Sequence, residues 1–142
     1  MRRFLLATLL LASCSKSGAP DLQISDAWAR ETVAGQTATA AYMTIDNRGP
    51  GDERLTGVQA AAPAKAMLHA SESSGGVSRM REMGAGLALP SRTAMQLKHG
   101  STHVMITGLA GPLREGDTMK LRLTFDKSAP RDVDVPVGAR GR

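Results

Sequence analysis

The chain has 142 residues, with 18 Lys and Arg against 13 Asp and Glu, which gives a formal net charge of +5. This length suits a single domain. The basic residues are spread along the chain without a dense cluster, so the sequence does not favour nucleic-acid binding. With one cysteine, Cys14, the chain cannot form an intramolecular disulfide.

The N-terminal segment has the features of a secretory signal. Two arginines precede a mostly apolar run over residues 4–12, which is too short to cross a bilayer as a helix. The sequence LASC at residues 11–14 resembles the bacterial lipobox, in which the cysteine becomes the acylated first residue. We therefore predict a lipoprotein signal peptide over residues 1–13 and lipidation of Cys14. The alternative is an ordinary cleaved signal with an incidental cysteine.

This processing predicts the domain boundaries. Residues 14–22 form the lipidated cysteine and a flexible tether, residues 23–138 one folded domain, and residues 139–142 a short disordered tail. Removing residues 1–13, which carry two of the eighteen basic residues, leaves 129 residues with a net charge of +3. The anchor would hold the domain on the periplasmic face of a bacterial membrane. Ser15 resembles an outer-membrane sorting residue, but the choice between outer and inner membrane stays open.

Alternation of apolar and polar residues predicts strands along most of the domain. In residues 119–125, MKLRLTF, the apolar residues share one face, and in residues 131–137, RDVDVPV, three valines do so while Pro136 indicates an edge strand. Other short strands are expected at residues 64–70, 77–82, 93–98 and 103–108. No segment keeps a helical period. Many short strands separated by Gly-, Pro- and Ser-rich turns predict an all-β sandwich or barrel.

Residues 37–46, TATAAYMTID, contain two halves that do not alternate in step. The second half places Ala41, Met43 and Ile45 on one face. The first half then places threonines on that face and alanines on the other. Either a β-bulge near Ala40-Ala41 or a strand with small residues on both faces accounts for the pattern.

Four residues are candidate metal ligands: His69, Met80, His103 and Met105. His103 and Met105 alternate with Val104 and Ile106, so a strand would place them side by side on the outward face. His69 lies near a turn, and Met80 lies between polar neighbours. Two imidazoles and two thioethers from three short strands could form a four-coordinate site, although each residue alone is also explained as a solvated or rim side chain.

These side chains favour a soft metal. Thioether sulfur suits Cu(I) and is a poor ligand for Zn(II), Mg(II) or Ca(II), while imidazole binds copper in either oxidation state. A blue-copper electron-transfer site needs a cysteine thiolate, which the predicted domain lacks. The donor set therefore favours a site that carries and releases Cu(I).

The spacing of the four residues resembles that of the periplasmic copper chaperone family PCuAC. The family pattern is His, about ten residues, Met, about twenty-one residues, then His-x-Met; here the two gaps are ten and 22 residues. Similar segments are DAWARETVAGQTATAAYMTIDNRG, RMREM, LALPSRTAMQLKHGSTHVMITGL and PLREGDTMKLRLTF. The resemblance covers about residues 23–137.

The resemblance implies a cupredoxin-like Greek-key β-barrel that binds Cu(I) through His69, Met80, His103 and Met105 at an exposed edge. It implies a carrier and not an enzyme. The carrier would deliver copper to the copper A centre of cytochrome c oxidase, in concert with a Sco-type protein. A monomer is the default expectation.

The chain departs from the family pattern in several places. KHGS at residues 98–101 replaces the familiar KPGG and introduces His99, which is either an auxiliary ligand or a solvated loop histidine. Met67, Met83 and Met95 are additional methionines, of which Met67 is either a spare ligand or part of a hydrophobic rim. The C-terminal VPVGARGR contains no His or Met, which predicts that no second metal site lies in the tail.

Two other classes of function compete with this interpretation. A structural or adhesive envelope lipoprotein with a β-sandwich fold and no physiological metal would not need the four candidate ligands to converge. A hydrolase is disfavoured because no Gly-x-Ser-x-Gly or His-Glu-x-x-His motif and no paired carboxylates appear. Asp132 and Asp134 share a face of one predicted strand and are interpreted as its solvated side.

Overall fold

A computed structural model describes residues 18–139, which form ten β-strands and no helix. The strands are β1 Leu22–Arg30, β2 Ala38–Asn47, β3 Glu53–Ala60, β4 Lys65–Ser74, β5 Val77–Glu82, β6 Leu87–Leu89, β7 Thr93–Leu97, β8 His103–Thr107, β9 Thr118–Phe125 and β10 Arg131–Gly138. The all-β prediction is confirmed. The predicted signal peptide, Cys14 and residues 140–142 lie outside the described residues. Within the described range, no helix has the length and hydrophobicity that crossing a membrane requires.

The strands form two layers joined through β10. One layer has the order β5-β4-β8-β2-β1, with β7 pairing the C-terminal half of β2, and the other has the order β10-β9-β3-β6. The link between them is a short parallel pairing of β1 with Val137 and Gly138 of β10. Strand β10 is interior in the strand order, but residues 131–136 pair with β9 alone, so the edge-strand prediction holds for the part that contains Pro136. Pro136 is tolerated because the β1 pairing begins one residue after it.

The core lies between the two layers and follows the predicted alternation. In β9, Leu121, Leu123 and Phe125 are buried, and Met119 packs against the core from a half-buried position. In β8, Val104 and Ile106 are fully buried. Burying an aliphatic side chain of this size contributes about 1.5–3 kcal/mol.

Strand β2 is regular in its pairing with β8 and β7. Ala41, Met43 and Ile45 are buried, and the small residues before them fit both faces. Of the two alternatives, the strand with small residues on both faces is therefore correct, and the bulge near Ala40-Ala41 is wrong.

A bulge lies instead in β1, opposite β2. Ser25 pairs with Thr44 and Trp28 with Tyr42, so β1 has one extra residue, and Asp26 takes a positive φ of 54°. Without the extra residue, Ile24 and Ala29 would point to opposite faces. The bulge lets both pack against the core and turns Trp28 and Arg30 to the outer face of the sheet.

The N-terminal part of the described chain is tied to the domain by Asn47. This fully buried side chain accepts hydrogen bonds from the backbone N–H groups of Asp21 and Gly49 and donates to the carbonyls of Gly51 and Leu89. Strand β1 begins at Leu22, one residue before the predicted domain boundary. The last residues of the predicted tether are therefore held against the domain.

Candidate metal site

Two of the predicted ligands lie directly opposite each other on neighbouring strands. His69 of β4 pairs in register with His103 of β8, and their ring centroids are 6.1 Å apart. Met105 lies two residues after His103 and shares its face. This face is the outer surface of the layer, because Val104 and Ile106 fill the core on the other side.

Met80 reaches the same face from β5. It pairs with Ser71, which lies two residues beyond His69 on β4. Diagonal neighbours of this kind are about 7–8 Å apart, within reach of long side chains. Met80, His103 and Met105 line one cavity of about 290 Å³. His69 is not among the residues that line this cavity, but the register of β4 with β5 and β8 places it on the same face as the other three.

The four side chains differ in burial. His103 is only 5% exposed, His69 and Met105 are half-buried, and Met80 is 62% exposed. The outward position predicted for His103 and Met105 is correct, but His103 is covered. The ring of Tyr42 lies 6.4 Å from its imidazole, and Trp28 packs against Tyr42 at 4.9 Å.

Each histidine has a ring nitrogen free for a metal. The Nδ1–H of His103 donates to the carbonyl of Ser101 at 2.9 Å, which leaves the lone pair on Nε2. The Nδ1 of His69 is buried and has no hydrogen-bond partner in the described structure. Unpaired buried polar atoms are rare in folded proteins, and a metal ion would satisfy this one.

The cavity offers few hard donors. Among residues 18–139, no three side chains of His, Cys, Asp or Glu form a group that could hold a metal ion. A metal bound here would therefore need thioether sulfur in addition to the imidazoles. The chemistry of the four residues fits a soft, low-charge ion.

Of the additional residues considered as metal ligands, one lines the cavity and the others lie elsewhere in the domain. His99 is exposed in the loop before β8 and lines the same cavity. Met67 pairs in register with Met105 and shares the face of His69, although it lines a different cavity. Met83 and Met95 pack against the hydrophobic core.

Three residues of the site were not predicted: Trp28, Arg30 and Tyr42. Tyr42 and Arg30 line the cavity, and Trp28 supports Tyr42. In β2, Tyr42 alternates with the core residues Ala41 and Met43 and so points to the outer face. This alternation was a sequence signal that could have placed Tyr42 at the site. For Trp28 and Arg30 the β1 bulge decides the face, and no sequence pattern reveals that bulge.

Solved structures of PCuAC domains have the same fold. The copper-bound PCuAC domain from PmoF2 matches with a TM-score of 0.69 and 22% identity, over 83% of this chain and 92% of that chain. The Cu(I) form of DR1885 from Deinococcus radiodurans matches with a TM-score of 0.63 and 28% identity, over 83% and 80%. The predicted cupredoxin-like β-sandwich is confirmed.

Sequence comparison covers the same region. The "Putative lipoprotein Lxx21020" of Leifsonia xyli subsp. xyli is 32% identical over 133 residues, which are 92% of this chain and 79% of that protein. The family model described as "Putative lipoprotein LpqE-like" matches residues 22–137. With a PCuAC-type fold throughout this region, the chain belongs to the LpqE-like family.

Proposed function

We propose that this protein binds one Cu(I) through His69, Met80, His103 and Met105 and passes it to an acceptor protein. It acts as a metal carrier and not as an enzyme. One observation carries the proposal: two histidines in contact, each with a ring nitrogen free for a metal, lie on one face with two thioethers.

The ligand set selects the metal. Four neutral donors do not offset the higher charge of Zn(II) or Cu(II), and thioether sulfur adds less affinity for these borderline ions than for Cu(I). Cu(I) carries one charge and prefers soft donors. The copper-bound PmoF2 domain and the Cu(I) form of DR1885 share this fold, which supports copper as the cargo.

The difference in exposure between the ligands suggests the order of release. Met80 lies at 62% exposure on β5, whereas His103 is 5% exposed. An incoming donor from the acceptor would displace Met80 first and His103 last. Copper would pass through shared coordination and would not be free in solution.

The proposed location rests on the N-terminal sequence, and the proposed acceptor rests on the family resemblance. We propose that acylation of Cys14 anchors the protein at the periplasmic face of a membrane, in line with the lipoprotein names of the matching relative and family. The proposed acceptors are the copper A centre of cytochrome c oxidase and a Sco-type protein. Replacing Cys14 with serine should release the protein from membranes, and loss of the protein should lower the copper A content of the oxidase.

The binding proposal is tested by anaerobic titration with Cu(I) against a chromophoric Cu(I) chelator. The full chain carries Cys14→Ala, because Cys14 is its only thiol and would itself bind Cu(I). The test variant adds His103→Ala and Met105→Ala. The matched control adds Met119→Leu, because Met119 lies on β9 in the other layer and packs against the core.

We expect one tight equivalent of Cu(I) that is retained in the control and lost in the double variant. Zn(II) should not compete for it. Equal binding in all three proteins, or binding of Zn(II) as tight as that of Cu(I), would contradict the proposal. A complete absence of copper binding would favour the alternative of a structural envelope lipoprotein without a physiological metal.

A further inference from the structure

A half-buried arginine, Arg30, lines the same cavity as Met80, His103 and Met105. The Nε of Arg30 is buried and makes no hydrogen bond in the described part of the chain. The β1 bulge places Arg30 on this face, two residues after Trp28. A guanidinium group has five N–H donors and no acceptor. A buried N–H donor without an acceptor is rare in folded proteins, and a bound ligand would supply the acceptor for Nε.

The other residues that line the cavity cannot neutralise this charge. None of them is an aspartate or glutamate, within the range that the structure describes. The polar groups around the cavity include the side chains of Gln36, Tyr42, Ser71 and Ser78. The cavity, of about 290 Å³, thus combines one fixed positive charge with neutral hydrogen-bonding groups. This is the composition of an anion site.

We propose that Arg30 binds a carboxylate in this cavity, beside the metal ligands. The guanidinium fork matches the two oxygens of a carboxylate and can donate to both. A single positive charge fits a singly charged acid better than a phosphate or a sulfate. The carboxylate comes either from a small free acid or from an Asp or Glu side chain of a docking protein.

The anion site does not depend on the proposed copper function, but the two would be coupled. Cu(I) bound by four neutral ligands adds a second positive charge to the cavity. A carboxylate on Arg30 would reduce the repulsion between them. By linkage, the carboxylate should then raise the affinity for Cu(I), and Cu(I) should raise the affinity for the carboxylate by the same factor.

The first experiment titrates the metal-free full chain carrying Cys14→Ala with sodium acetate at constant ionic strength, and follows the Arg30 Nε–H resonance and nearby backbone amides by NMR. Arg30→Gln removes the charge, Arg30→Lys keeps the charge without the fork, and Arg122→Gln is the control at an exposed arginine on β9. We expect saturable shifts of the nearby backbone amides in the parent and the Arg122 variant. In both Arg30 variants the same amides should report acetate binding that is at least severalfold weaker. Shifts that are absent, or equal in every variant, would overturn the proposal.

A second arm distinguishes the source of the carboxylate. The probes are the peptide acetyl-Gly-Asp-Gly-amide and its Asn counterpart. Arg30-dependent binding of the Asp peptide that is tighter than that of acetate supports the site and assigns a protein side chain as its ligand. Binding of acetate alone supports the site and assigns a free acid. Equal binding of the Asp and Asn peptides would count against carboxylate recognition.

A third arm measures Cu(I) affinity with and without acetate. We expect a severalfold increase with acetate in the parent and none in Arg30→Gln. Acetate binding to the metal-free protein without this increase would contradict the coupling and leave the anion site standing. Failure to bind Cu(I) at all would overturn the proposed function, while the metal-free titration would still decide the anion site.

Discussion

His69 and His103 lie directly opposite each other on β4 and β8, and the two rings have free nitrogens for different reasons. Ser101 accepts the Nδ1–H of His103 and so fixes the lone pair on Nε2, whereas the Nδ1 of His69 is buried without a partner. Both histidines stand on paired strands, which hold side chains more rigidly than loops do. The imidazole pair is therefore the fixed part of the candidate site, and Met80 on the exposed β5 is its accessible part.

Adjacent residues of β8 should separate metal binding from stability. Met105 lines the cavity, whereas Ile106 is fully buried in the core. We expect Ile106→Ala to lower the free energy of unfolding by about 2–5 kcal/mol through the cavity it leaves, while the folded protein keeps its Cu(I) affinity. Met105→Ala should show the reverse pattern, with a smaller loss of stability and a Cu(I) affinity at least tenfold lower, since even altered outer-sphere partners cost about 10–100-fold. Urea unfolding and chelator competition measure the two effects. Equal loss of Cu(I) affinity in both variants would contradict the assignment of the two faces.

Local alternation was sufficient to predict much of the fold. The inward residues of β8 and β9 follow from period-two patterns, and the four candidate ligands were identified by residue type and spacing. Long-range pairing was not predictable in the same way. The parallel contact of β1 with Val137 and Gly138 depends on residues over 100 positions apart in sequence. The bulge at Asp26, which decides the face of Arg30, depends on how β1 fits β2 and leaves no mark in hydrophobic periodicity.

Glu53 should make the stability of the domain depend on acid pH. Burial of its side chain would raise the pKa, but hydrogen bonds from the Ser128 hydroxyl and the backbone N–H groups of Arg54, Lys127 and Ser128 outweigh this, so the pKa lies below its ordinary value of 4.5. A lowered folded-state pKa stabilises the protein above the unfolded value, and this stabilisation is lost as the pH falls through the folded value.

We therefore expect Glu53→Gln to lower the free energy of unfolding at pH 7 by about 1.5–3 kcal/mol, the usual contribution of hydrogen bonds to a charged group. The difference from the parent should shrink below pH 4.5. Urea unfolding at pH 7 and pH 3.5 measures both values. Lys120→Gln, which breaks an exposed ion pair with Asp134, is the control and should change stability little at either pH. A Glu53 effect that is constant across this pH range would contradict the ionised, hydrogen-bonded state of the side chain.

Two glycines with positive φ should respond differently to alanine. Gly35 has a φ of 81° and open space where a Cβ would lie, whereas a Cβ on Gly86, with a φ of 75°, would collide with the backbone carbonyl of Leu55. Both variants carry the backbone strain, about 1–2 kcal/mol. Gly86→Ala adds a steric clash between the β3 backbone and the turn before β6, so we expect a total loss of about 2–4 kcal/mol. Thermal and urea unfolding compare the pair. Equal losses would mean that β3 moves away from the new side chain without cost.

Met80 provides the sharpest test of the proposed release order. Because its side chain is 62% exposed, Met80→Ala should change the free energy of unfolding by no more than about 0.5 kcal/mol. Its thioether is nevertheless one of the four proposed ligands, so Cu(I) affinity should fall at least about tenfold. Transfer of Cu(I) to a chelator should become faster, since one ligand no longer has to be displaced. Stopped-flow absorbance measures this rate, and Val77→Ala, an exposed apolar residue on the same strand, is the control. An unchanged rate and affinity in Met80→Ala would remove Met80 from the ligand set and leave the imidazole pair with Met105 alone.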